Sequence, residues 1–145
     1  MSKSDAFEAA LLDLIFLNTD IANIGDAAGL QNSAAAGSLY VALHTADPGE
    51  AGTQTTSEIA YTGYARVAVA RSGAGWTRSG NSISPVANID FGACTAGSGT
   101  ATHFSVGTLS SGAGMILYKG AISPTIAVSA GVTPRLTTAT AITED

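Results

Sequence analysis

A mainly β chain, an antiparallel β-sandwich or jelly roll of about eight strands with one N-terminal α-helix, is the fold this sequence predicts. Short apolar runs with period-two alternation recur about every ten to twelve residues between clusters of Gly, Ser, Asn and Pro, the spacing of antiparallel strands and tight turns. A single stretch of period 3.6 stands ahead of them, and nothing resembles the alternating helices of βαβ units.

The helix is expected over Asp5–Asn18, where Phe7, Leu11, Leu14 and Ile15 follow the i, i+4, i+7, i+8 pattern of an amphipathic stripe. Asp5 with Glu8 three residues on suggests a capping box, and both carboxylates favour the positive end of the helix dipole. Leu12, Phe16 and Leu17 widen the apolar surface beyond one stripe, which calls for cover on more than one side. Residues 21–38 are rich in Ala, Gly and Asn, with a short helical turn expected at Ile24–Leu30. This gives one domain over residues 1–145, with a helical leader and connector over 1–38 and a β-sandwich over 39–145.

The anchor strand is Leu39–His44. Leu39, Val41 and Leu43 point one way, and Tyr40, Ala42 and His44 the other. Asp47-Pro48-Gly49 ends it, because Pro48 donates no amide hydrogen, Gly49 tolerates positive φ and Asp47 can bond the backbone ahead of it. The loop Ala46–Tyr61 exceeds the usual connection of about four to six residues. A second strand is expected over Gly63–Arg71, then Trp76–Arg78, a turn at Ser79-Gly80-Asn81, Ser82–Ser84 and Val86–Phe91. Ala101–Gly107 follows the Gly-rich loop at 92–100, then Met115–Ile122, a break at Ser123-Pro124, Thr125–Ser129 and a Thr-rich strand through Ile142.

Charged residues make up only 12 % of the chain, against about 25 % in an ordinary soluble domain. A surface of Ala, Gly, Ser and Thr suits contact with other protein. Eight acids precede Tyr61 against Lys3 alone, whereas Arg66, Arg71, Arg78, Lys119 and Arg135 face only Asp90 between Tyr61 and Thr140. The acidic first part and basic body suit contacts between copies. Nucleic acid is not an expected partner, since the net charge is −5 and no Lys/Arg cluster is interleaved with aromatics. The apolar run Ala9–Leu17 is broken by Asp13, so neither a secretory signal nor a membrane partner is expected.

Chemistry has few footholds. His44 and His103 would meet if their strands are neighbours, but a third ligand at recognisable spacing is missing, so no metal or cofactor is expected. Cys94 is the single cysteine, which excludes an internal disulfide and reads as a small buried hydrophobe. No Gly-x-Ser-x-Gly elbow occurs, and Gly73-Ala-Gly75 and Gly112-Ala-Gly114 read as turns. Asp47 with Glu50 falls short of a calcium-loop pattern. Trp76 with Tyr40, Tyr61 and Tyr64 is the one candidate saccharide-stacking set, weighed against a role as core or interface anchors.

The blocks LYVALHTADPGE (Leu39–Glu50) and YARVAV (Tyr64–Val69), with Phe7–Leu12 and Ala22–Asp26 ahead of them, resemble a family of small structural proteins of tailed-bacteriophage virions, labelled variously as tail-fibre-like or head proteins. The resemblance implies a structural, non-enzymatic role and carries over no catalytic residue. The leading expectation is a head cement or decoration protein that binds the major capsid protein and its own copies as a homo-oligomer, placed in the virion and assembled in the host cytoplasm. A tail or tail-fibre component bound to tail proteins is the alternative, and a carbohydrate-binding or hydrolytic β domain the second. The interface candidates are Asp47, Glu50 and Glu58 on the long loop and Arg66, Arg71 and Arg78 after it.

Overall fold

The computed structural model describes residues 2–145. In chain order they form α1 (Asp5–Leu17), β1 (Ser38–His44), β2 (Val67–Ala70), β3 (Trp76–Ser79), β4 (Ser82–Pro85), β5 (Ile89–Asp90), β6 (Gly99–Gly107), β7 (Ile116–Val128), β8 (Arg135–Leu136) and β9 (Ile142–Thr143). The fold is mainly β with antiparallel sheets and one helix. The described strands fall into a four-stranded sheet of order β2-β1-β6-β7, a three-stranded sheet β3-β4-β9 and a pair β5-β8.

The chain condenses into two compact units, each assembled from segments distant in sequence. One comprises residues up to Ser38, Val69–Asn88 and Thr137–Asp145; the other comprises Leu39–Ala68 and Ile89–Leu136. The chain passes from one unit to the other between residues 38 and 39, and the unit that holds residues up to Ser38 also holds the hairpin within Val69–Asn88 and the C-terminal strand.

In the first unit, α1 lies on the β3/β4 hairpin. The helix is capped by Ser4, whose hydroxyl accepts from Phe7 N at 3.4 Å, rather than by the expected Asp5/Glu8 box. Glu8 is instead buried, with Asn81 Nδ2 donating to it at 3.3 Å. The apolar stripe also differs from the expected one, because Glu8, Leu12 and Phe16 face inward while Phe7 is 37 % exposed. Helix rotation is decided by what fits against the hairpin. The Phe16 ring meets Trp76 edge-on, with centroids 4.8 Å apart, the geometry that the aromatic quadrupole favours. At the other end Asn18 adopts φ 55°, and Arg71 Nε donates to Ile15 O at 2.7 Å, placing a cation where orphan carbonyls carry partial negative charge. No helical turn forms at Ile24–Leu30; Ile21 and Leu30 pair across a bend instead.

In the second unit, β6 lies between β1 and β7 and is buried along both faces toward its end. That explains why Phe104 and Val106 on one face and Ser105 on the other are all inaccessible. Of the expected strand Val86–Phe91 only Ile89–Asp90 forms, and two strands of the four-stranded sheet also differ from expectation. Only Val67–Ala70 of Gly63–Arg71 joins a ladder, since the side chains of Tyr64 and Arg66 are drawn into a polar cluster described below. Conversely, Pro124 does not end β7. Ala101 pairs Ile126 and His103 pairs Ala121, so residues 122–125 bulge opposite Thr102, and a residue without an amide hydrogen sits where the ladder makes no demand on it.

Candidate functional site

The long loop after β1 is fastened to the second unit along its length. Gln54, 0 % exposed, is its central pin. Its Nε2 donates to Tyr40 O at 3.0 Å, its Oε1 accepts from Leu109 N at 3.0 Å, and its backbone N–H donates to Gly114 O at 2.9 Å. Gly107 and Gly114 make the room, since a Cβ on either would lie 2.2 Å from the Gln54 side chain.

Next to this pin, Arg66 forks onto Glu58. Nε and Nη2 each donate to one carboxylate oxygen at 2.7 Å, and Nη1 and Nη2 continue to Leu109 O at 3.0 Å and Gly112 O at 2.8 Å. The Arg66 side chain is 2 % exposed and the Glu58 side chain 17 %. This bidentate geometry is the one that suits a desolvated guanidinium, and the Glu58 carboxylate raises the Arg66 pKa further. Tyr64 completes the cluster: its hydroxyl donates to Glu58 Oε1 at 2.9 Å and accepts from Leu43 N at 3.1 Å, and burial pushes the phenol pKa well up.

Above the cluster opens a groove of about 750 Å³, walled by Glu58–Tyr61, Tyr64–Arg66, Ala96–Gly97 and Ser110–Gly112. Its charged wall is chemically spent. Every N–H of Arg66 is directed to an acceptor within the chain, and the Tyr64 hydroxyl both donates and accepts. Arg66 thus ties this wall of the groove to Glu58, Leu109 and Gly112.

His44 and His103 do face each other as register partners across β1 and β6. Their rings are nevertheless engaged separately: His44 Nε2 meets Ser105 Oγ and Nδ1 meets Thr56 O, each at 2.8 Å, while His103 Nδ1 meets Thr102 Oγ1 at 2.9 Å. His44 and Ser105 are both 0 % exposed, so this Ser–His contact has no path to a substrate and serves as a tie between strand, loop and sheet. Among the described residues no group of three or more His, Cys, Asp or Glu side chains is placed to hold a metal.

Burial holds the His44 pKa below its usual value. The unfolded chain therefore binds more protons than the fold once pH drops below about 6.5. Stability is expected to be full above that pH and to fall as pH decreases toward the depressed folded value, with a slope of up to about 1.4 kcal/mol per unit for one proton. Urea midpoints at pH 7.5 and 5.5 measure it, and His44→Gln should remove that part of the slope.

The six interface candidates are divided between the units. Asp47 and Glu50 flank Lys119 at 3.0 and 3.2 Å, and the Gly49 amide together with Lys119 holds the Asp47 carboxyl below its usual range. Glu58 and Arg66 pair with each other as described. In the first unit, Arg71 binds the end of α1, and Arg78 Nε donates to Asp13 Oδ1 at 2.6 Å. All six are thus engaged within the chain, and only Asp47 and Glu50, with side chains 52 % and 96 % exposed, retain open carboxylate surface. Of the saccharide-stacking set, Trp76 belongs to the first unit and the three tyrosines to the second. Cys94 is buried. Sequence reasoning passed over Gln54, which a polar loop of Thr, Ser and Gly gives no sign of burying.

No described helix is long and apolar enough to cross a membrane. A family model described as podophage GP4 fiber I protein gp80 matches residues 2–143. No curated protein matches the chain.

Proposed function

The chain belongs to the podophage GP4 fiber I protein family, a family of phage virion structural proteins, and from that premise we propose that it is a non-enzymatic component of a tail fibre. The match over nearly the whole chain carries this reading, and the family's description as a fibre protein favours it over the head-cement role expected from the sequence. The low charge content and the internally satisfied polar cluster support a role in contact and rigidity rather than turnover. Its partners are neighbouring tail proteins and further copies of itself, and contacts that are individually weak become strong by repetition in a particle.

Antibody labelling of intact virions, combined with copy counting by quantitative mass spectrometry, tests the proposal. Label on the tail appendages at a few to a few tens of copies is expected. Hundreds of copies spread over the head would restore the cement reading.

A further inference from the structure

We infer that the groove above the Glu58/Arg66 pair is a binding site for a short, uncharged saccharide. This goes beyond the structural role proposed above: every lining residue belongs to the second unit of this chain, so the site is complete without a partner.

The groove's volume, about 750 Å³, falls within the roughly 300–1,000 Å³ of small-molecule sites. Its charges argue against an ionic ligand. Glu58 and Arg66 are the charged residues of the wall, and an anion or a cation would have to break their bidentate pair to be recognised. Hydroxyls, by contrast, stay open. Thr62, Ser110 and Ser111 line the groove and are exposed, and their side-chain oxygens have no hydrogen-bond partner among the described residues. Each hydroxyl is both donor and acceptor, the matching chemistry for the hydroxyls of a sugar.

Two further observations select a saccharide. The first is the aromatic part of the wall, which suits the C–H face of a sugar ring. Tyr61 and Tyr64 meet edge to face with centroids 5.4 Å apart, and their hydroxyls are tied to Gly92 O and to Glu58. The rings are therefore set before a ligand arrives, which lowers the ordering cost of binding. Ala60, Ala65, Ala96 and Gly97 beside them leave room for a ring. The second is how Ser110 and Ser111 are held. Arg66 grips the carbonyls on either side of them, Leu109 O and Gly112 O, so two open hydroxyls stand on a fastened turn. An open groove that offers hydroxyls and no free charge gives weak binding, which repetition in a particle multiplies.

Titration of the isotope-labelled full chain with neutral disaccharides built from glucose, galactose, mannose and N-acetylglucosamine, followed by amide chemical shifts, tests the site. At least one of them is expected to shift the amides of residues 58–66, 96–97 and 110–112 saturably, with a Kd in the millimolar range. Ser110→Ala/Ser111→Ala, which leaves Arg66 and its carbonyls in place, should weaken binding about tenfold for two lost hydrogen bonds. Ala65→Trp, which fills the groove, should abolish it, whereas Ala130→Trp, at an exposed position outside the groove, should leave it unchanged. No saturable shift with any of these sugars, or shifts confined to other residues, would overturn the site, and the parent alone decides this even if Ala65→Trp does not fold. Tighter binding of a uronic-acid disaccharide than of its neutral counterpart, or of a Ser/Gly peptide in the groove without any sugar, would overturn the ligand class. None of these outcomes bears on the chain's place in the particle, which the copy count decides.

Discussion

Glu58→Gln is expected to destabilise the protein by about 3–5 kcal/mol, the cost of leaving one member of a buried ion pair uncompensated. The Arg66 guanidinium is almost wholly removed from water, and losing the carboxylate charge leaves it with the carbonyls of Leu109 and Gly112 and the Gln54 amide oxygen. Tyr64 loses a charged acceptor at the same time. Urea unfolding at pH 7 followed by far-UV circular dichroism measures the loss. The double variant Glu58→Leu/Arg66→Met should lose much less than the two single variants added together, because it removes the charge and its counter-charge at once. A Glu58→Gln midpoint within about 1 kcal/mol of the parent, the range of exposed surface pairs, would show that water reaches the pair. Neutralising Glu58 is thus a test of the fold, whereas neutralising Asp47 and Glu50 is a test of the surface.

Gly92→Ala should be comparably damaging for a different reason. A Cβ at this position would lie 1.8 Å from Gly63 O, and one at Gly63, where φ is +104°, would lie 2.2 Å from Ala93 O. Two stretches of backbone touch here and are tied on either side, with Thr62 N donating to Ala96 O at 2.9 Å and Tyr61 Oη to Gly92 O at 2.7 Å. Backbone cannot move aside as a side-chain tip can. The loss should therefore reach or exceed the upper end of the ~1–3 kcal/mol typical of overpacking. Gly73→Ala is the control: its Cβ would meet open space, and the reduced freedom of the unfolded chain should leave stability unchanged or raised by up to about 1 kcal/mol. Equal behaviour of the two variants would mean that the 63/92 contact is loose in solution.

What the sequence settled by itself is what local physics governs. Period-two alternation located β1 and β6, because side chains on a pleat must alternate. Ser79-Gly80-Asn81 marked the β3/β4 hairpin, because turn chemistry is a property of adjacent residues. The 3.6 period marked α1, and low charge with no catalytic spacing pointed to a structural role, in line with the virion family to which the chain belongs. Which face of α1 turns inward was decided by Phe16 and Trp76, sixty residues apart in the chain, since a helix with apolar residues on several sides has no unique orientation until its partner is present. Segments 69–88 and 137–145 join the helix in one unit because they bury the same core, a choice made through space. The fate of the charges was decided in the same way. Glu58, Arg66, Arg71 and Arg78 look alike in sequence as polar residues open to a partner. A charge is a surface group or a structural one according to what lies within about 3 Å of it, and only the folded chain supplies those neighbours.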